Sequence, residues 1–325
     1  MESIIFIRDF KDGDQVLRFF ELRGKTTRKT RGGHDYVDLK IGDSSGEMSA
    51  KIWPEALQKW GQDFNLGDIV KVEGHVEMFR DMSQLIVDKI RKADETEVPD
   101  ITVIVKSTPY DVEKLFNELL QLTETLEPLE LSNFVAEILN RVSDQFRLAP
   151  AAKMIHHAYR GGLIEHTWGV VRKVLAILET ETGINRSVAI AGAILHDIGK
   201  LQELTASSHS RTTQGRLIGH VALGITLLWT VALELGLEDE LWVVELEHIL
   251  LSHHGEPEFG APVRPLTREA LLVHFADNLD SKLRIIDGAL ESADSDGFSP
   301  YNKWLEGRAY AGQSLKLSEE EQEDV

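Results

Sequence analysis

The hydrophobic pattern of this chain changes period once, between residues 95 and 110. Up to that point apolar residues alternate with polar ones in short runs, as in DYVDLKI at 35–41 and EMSAKIW at 47–53. From Tyr110 onward they recur every three to four residues. Alternation of period two buries one face of a strand, whereas a 3.6 period buries one stripe of a helix. One chain holding both blocks in series has to build a β unit followed by an all-α unit, and its 325 residues suffice for two cores.

In the first block, strands are expected at 16–22, 35–41, 47–53, 68–76 and 84–92, with a turn at 42–46 and another near Arg80. A short helix is expected at 54–60. Five short strands with one helical insert suit a small Greek-key barrel. The acidic stretch 94–100, which contains Pro99, suits a linker. In the second block, helices are expected at 111–122, 131–141, 165–179, 186–196, 219–235, 238–252 and 267–290. Asp111 follows Pro109 and Tyr110, and Asn185 precedes Arg186, so both are natural helix starts.

Composition narrows the function classes. No apolar run is long and clean enough to span a bilayer, and MESIIFIRDF lacks the basic-then-apolar layout of a secretory signal. The cytoplasm is therefore the expected compartment. With no cysteine, disulfides and thiolate ligands are excluded, and a bound metal must be held by nitrogen and oxygen. A net charge of −19 opposes binding of nucleic acid, but the charge is uneven. Residues 1–95 carry 16 basic and 18 acidic side chains, against 19 and 36 in the remainder. The nearly neutral front holds the one basic run, Arg23, Lys25, Arg28, Lys29 and Arg31, with no acid among them.

The second block scatters His166, the pair His196-Asp197, His220, the pair His253-His254 and Asp277 over five expected helices. One buried histidine is usually a hydrogen-bonded core residue. Seven imidazoles and carboxylates at or near buried helical positions need partners, and two divalent ions would provide them. One ion would take His166, His196, Asp197 and Asp277, and the other Asp197, His220, His253 and His254. Asp197 can serve both because a carboxylate has two oxygens. A bridged ion pair is the arrangement for hydrolysis of a phosphate ester, and Lys200, one turn past His196, adds a cation for the phosphate or the leaving oxygen. Nitrogen and oxygen ligands fit Mn²⁺, Fe²⁺, Co²⁺ or Zn²⁺ better than Mg²⁺ and do not select among the four; Mn²⁺ is the leading expectation.

These residues resemble the HD-domain phosphohydrolases: a first histidine, an adjacent His-Asp pair and a late aspartate. The phrases FIRDFKDGDQV, HHAYRGGLIEHT, AGAILHDIGK, GHVALG, ILLSHHG and FADNLDSKL extend the likeness over nearly the whole chain. In their order and spacing the chain resembles the YhaM family of 3′-to-5′ exoribonucleases. The resemblance implies an OB-fold β-barrel at 1–95, a linker at 96–110, an all-α HD domain at 111–315 and an acidic tail at 316–325. It supports the seven ligands, with Asp197 and Lys200 at the chemistry, and implies self-association of the chain.

An OB domain grips single strands with a basic groove and stacking aromatics. The candidates are the five basic residues above, read as a loop or arm, with Tyr36 and Trp53. Trp53 and Phe79 are each equally balanced between contact and core, and Phe19 is expected in the core. Arg160 and Arg211 are phosphate candidates, and Asn278 is a candidate for a sugar hydroxyl or for supporting Asp277. The leading expectation is an exonuclease on single-stranded RNA that also accepts single-stranded DNA and acts without a membrane. Two alternatives stay open. One is hydrolysis of small nucleotides or cyclic dinucleotides, which share HDIGK. Against a cyclic substrate, Glu256-Pro257 stands where the GYP run of the HD-GYP phosphodiesterases would follow. The other is a non-enzymatic single-strand binder.

Overall fold

The computed structural model describes residues 5–60, 63–80, 82–94, 97–98, 101–152, 157, 159–205 and 211–312. Five strands form a closed barrel: β1 (Gln15–Lys29), β2 (Asp35–Asp43), β3 (Gly46–Ile52), β4 (Ile69–Phe79) and β5 (Met82–Lys92). The order around the barrel is β1-β2-β3-β5-β4, with β3 and β5 parallel and the other pairs antiparallel. Helix α1 (Pro54–Trp60) joins β3 to β4. Alternation places Val37, Leu39 and Ile41 of β2 and Met48, Ala50 and Ile52 of β3 inside, so Tyr36, Asp38, Lys40, Ser49 and Lys51 face out.

Two expectations change here. The basic run is strand from Arg23 to Lys29, and only Arg31 lies in the turn that follows. Strand β1 continues through Lys29, with Lys25 opposite Leu39 and Lys29 opposite Asp35. Threonines at 26 and 27 suit a strand, and pairing with β2 satisfies backbone that a loop would leave to water. Phe19 is not core either: Phe20 fills the barrel, and Phe19 lies half-buried outside with the Lys71 ammonium 5.2 Å from its ring centre. A strand sends neighbouring side chains to opposite faces, so only one of the two phenylalanines can point inward.

The helical unit holds α2 (Val112–Thr123), α3 (Leu129–Leu148), α4 (Gly162–Leu178), α5 (Arg186–Leu195), α6 (Lys200–Glu203), α7 (Thr213–Leu217), α8 (His220–Leu235), α9 (Leu241–Ser252) and α10 (Arg268–Leu290). Asp111 caps α2 by accepting from Glu113 N and Lys114 N, and Asn185 caps α5 through Val188 N. Helix α5 is buried on all sides from Val188 to Leu195 and packs against α4, α9 and α10. A helix with no polar face belongs at the centre of a bundle, and its C-terminal end delivers His196 and Asp197 into the interior. The short helices α6 and α7 escape periodicity because four or five residues cannot display a 3.6 repeat.

The segment between the units is held by backbone bonds. Ser44 N donates to Val103 O from the barrel side, while Arg160 N donates to Lys106 O and Thr108 N to Arg160 O on the helical side. No helix among the described residues is long and apolar enough to cross a membrane.

Candidate metal centre and single-strand face

Asp197 lies at the meeting point of the five helices and divides the ligand set in two. Its Oδ2 is 3.4 Å from both His166 Nε2 and His196 Nε2, and these two nitrogens are 3.2 Å apart. Asp277 Oδ1 stands 3.2 Å from the same His166 nitrogen. On the other side, Asp197 Oδ1 faces His220 Nε2 at 3.5 Å and His253 Nε2 at 3.6 Å. Side-chain nitrogens of His220, His253 and His254 lie within 4.8 Å of one another. Asp197 Oδ1, His220 Nε2 and His253 Nε2 are buried without a hydrogen-bond partner. Three converging polar atoms left unsatisfied would be costly unless a cation neutralised them. The structure thus gathers all seven residues singled out as metal ligands.

The histidines are held in one protonation pattern. His196 Nδ1 donates to Ala193 O at 2.8 Å, His253 Nδ1 to Leu250 O at 2.8 Å and His254 Nδ1 to Phe259 O at 3.0 Å. His166 Nδ1 meets Asp280 Oδ2 at 2.7 Å, and His220 Nδ1 meets Glu203 Oε2 at 3.1 Å. Carbonyl and carboxylate oxygens only accept, so each of the five rings carries a proton on Nδ1 and turns its Nε2 to the centre. This is the arrangement in which imidazole binds a metal with an acceptor behind it.

Asp280 and Glu203 went unseen as functional residues from sequence. The readable signals are an acid three residues past Asp277 on the same helix and one three residues past Lys200. Asp280 accepts from His166 Nδ1, contacts His157 Nε2 at 3.0 Å and pairs its Oδ1 with Lys173 Nζ at 2.7 Å. Burial opposes its ionisation, but bonds from His157, His166 and Lys173 hold its carboxyl far below the usual range. Burial likewise opposes a charge on His166, yet Asp197, Asp277 and Asp280 together raise its pKa well above the ordinary value. At His254 burial prevails, reinforced by His253 and His220, and lowers the pKa to about 3.

Two glycines permit these approaches. A Cβ on Gly199 would stand 1.9 Å from His220 O, so the glycine of HDIGK lets α8 begin against α6. A Cβ on Gly169 would stand 2.5 Å from Asp280 Oδ1.

Lys200 Nζ pairs with Asp197 Oδ2 at 2.5 Å. It lines a cleft of about 850 Å³ together with His220, His254 and Arg211. Arg211 also faces Glu203 at 3.5 Å. Arg160 and Asn278 do not line this cleft among the described residues. Arg160 bridges backbone to 106–108, and Asn278 is exposed on α10. His157 is buried behind His166 and bonds Asp280.

On the barrel, Tyr36 and Trp53 stack with ring centres 5.2 Å apart. Lys51 Nζ sits 5.6 Å from the Trp53 ring centre and 5.2 Å from that of Phe79, which is exposed. A groove of about 800 Å³ runs past Lys25, Arg28, Tyr36, Lys51 and Phe79. The basic residues divide by role. Arg23 is committed to Glu21, Asp43 O and Gly46 O, and Lys25 to Phe64 O. Arg28 pairs with Asp38 at 2.9 Å, while Lys29 and Arg31 are exposed at the hairpin end.

Fold and site together define a class: an OB-fold barrel joined to an HD-domain phosphohydrolase. The OB-fold nucleic acid binding domain family matches residues 20–93, and the HD domain family matches residues 163–282. The 3′-5′ exoribonuclease YhaM of Bacillus subtilis (strain 168) is 31% identical over 299 residues, covering 92% of this chain and 95% of that protein. Those of Listeria welshimeri and Bacillus pumilus are each 30% identical, covering 93% and 94% of this chain and 96% of each relative. The chain belongs to the YhaM 3′-5′ exoribonuclease family.

Proposed function

We propose that this protein is a metal-dependent exoribonuclease that shortens single-stranded RNA from the 3′ end and releases nucleoside 5′-monophosphates. The observation that carries the reading is the convergence of five imidazole Nε2 atoms and the carboxylates of Asp197 and Asp277 on one centre that Asp197 divides in two. His166, His196, Asp277 and Asp197 Oδ2 would hold one divalent ion. His220, His253, His254 and Asp197 Oδ1 would hold the other. When bound, such ions supply an activated water and neutralise charge on the phosphate oxygens. Mn²⁺, Fe²⁺, Co²⁺ and Zn²⁺ all accept these ligands, and Mn²⁺ is the ion we put forward.

The chain's own groups do the rest. Asp197 holds both clusters in one frame. Lys200 presents its ammonium to the cleft beside that carboxylate and meets the phosphate or the leaving 3′ oxygen. Water adds to phosphorus, the bond to the 3′ oxygen breaks, and that oxygen takes up the proton. The shortened strand keeps a 3′-hydroxyl, and the freed nucleotide keeps its 5′-phosphate.

The barrel captures the strand. Tyr36, Trp53 and Phe79 stack bases, and Arg28, Lys29 and Arg31 follow the backbone, with Lys25 at the groove wall. Stacking and backbone contacts need no 2′-hydroxyl, so single-stranded DNA also binds. The division into 1–95, 96–110, 111–315 and 316–325 is part of the reading. Its tail lies outside the described residues. So is work in the cytoplasm as a homo-oligomer, for which the exposed α10 stripe Leu271, Phe275, Leu279 and Leu283 offers an apolar face.

The test is a 5′-labelled single-stranded RNA incubated with metal-stripped protein, with and without Mn²⁺. A ladder shortening from the 3′ end only with metal is expected. Asp197→Ala should abolish it while leaving strand binding within about twofold. An intact strand beside bound metal would move the substrate to a small nucleotide, and full hydrolysis by Asp197→Ala would refute the site.

A further inference from the structure

The chain between α10 and residue 312 lies beyond the HD-domain match, yet it builds one wall of the cleft. A reversal at Asn302–Gly307 places Asn302, Lys303 and Trp304 there. Its backbone is fixed. Trp304 N donates to Asn302 Oδ1 at 2.9 Å, and Lys282 Nζ from α10 donates to Trp304 O at 2.6 Å. Trp304 on this pinned turn is 46% exposed, so it is not core packing. The same cleft holds the metal-facing rings of His220 and His254. Its charged lining comprises Lys106, Lys200, Arg211, Arg284 and Lys303 against Glu203 and Glu291, a positive excess within a chain of net charge −19.

A flat aromatic on a rigid turn, facing a basic cleft that leads to phosphate chemistry, is what a nucleobase binds. We propose that Trp304 stacks on the 3′-terminal base of the strand, so that this wall is the subsite for the nucleotide about to be removed. Lys303 Nζ sits 4.7 Å from the Trp304 ring centre and covers one face, so the base takes the other, with the Lys303 ammonium placed to meet its phosphate; Arg284 stays paired with Asp287 at 3.0 Å. Stacking tolerates all four bases, which suits an enzyme that removes one residue after another. This inference rests on the exonuclease reading above.

The experiment is a cycle between protein and substrate. Wild type and Trp304→Ala are each given two RNA oligomers, one with a normal 3′-terminal base and one whose last sugar is abasic. In wild type, loss of the terminal base should raise KM about tenfold. Trp304→Ala should raise KM by a similar factor on the normal strand and show no further loss on the abasic one. Trp304→Phe should recover most of the effect, and bound metal per chain should equal wild type in both variants. Equal KM for the two strands in wild type would overturn the proposal without any variant, and so would independent, multiplying losses in the cycle. If wild type does not shorten RNA from the 3′ end at all, the exonuclease reading fails first. If it does and the cycle multiplies, only the subsite fails.

Discussion

Replacing Asp280 by asparagine removes one negative charge from behind His166 and nearly nothing else. Asp280 is 2% exposed, and its oxygens meet His166 Nδ1 at 2.7 Å, His157 Nε2 at 3.0 Å and Lys173 Nζ at 2.7 Å. The amide keeps one acceptor oxygen, so His166 loses a charged acceptor and part of its orientation. Loss of such a partner typically lowers metal affinity about 10- to 100-fold, or roughly 1.4–2.7 kcal/mol. Only the ion on the His166 side should weaken. The mirror variant, Glu203→Gln, should weaken only the ion on the His220 side, and the double variant both. Titration calorimetry with Mn²⁺, together with metal counted per chain after dialysis, reads these effects. Asp280→Asn should also cost about 3 kcal/mol of stability, because breaking a buried charged pair costs on that order. For a helical unit of this size that lowers Tm by about 6–12 °C. The carboxyl's folded pKa is depressed, so its contribution is present above the unfolded value near 4 and is lost as pH falls. The Tm gap should therefore hold from pH 8 to about pH 4 and narrow below that. Two wild-type binding events in Asp280→Asn would refute the idea that this carboxylate orients His166.

Two further outcomes follow from the same geometry. Metal loading should be lost in order as pH falls: three carboxylates raise His166 above its ordinary pKa, whereas burial first, then His253 and His220, lower His254 to about 3. Protons therefore compete with the first ion at higher pH than with the second, and metal content against pH should show two separate steps; a single step would count against the assignment. On the barrel, Trp53→Ala removes the ring stacked on Tyr36 and should weaken binding of single-stranded RNA about tenfold at fixed salt, with bound metal unchanged. Fluorescence anisotropy checks this, and unaltered binding would place the strand elsewhere.

What could be read without coordinates was whatever leaves a periodic or chemical mark. Period two and period 3.6 separate the barrel from the bundle, and the apolar run of α5 ending in His196-Asp197 announces a buried polar terminus. Seven ligand-type residues in helical text imply a centre even though His166 and Asp277 are 111 residues apart. Only the tertiary structure decided which groups stand behind those ligands. The spacing of Asp280 from Asp277 and of Glu203 from Lys200 assigns neither a role, because their meaning comes from meeting His166 and His220 across the bundle. It also decided that Arg23 is committed to its own barrel while Arg28 lines the groove, and that a turn near residue 304 closes a cleft over helices far away in sequence. Residue type and spacing determine the chemistry a chain carries. Which side of an imidazole is left bare, and what faces it, depends on where other helices come to rest.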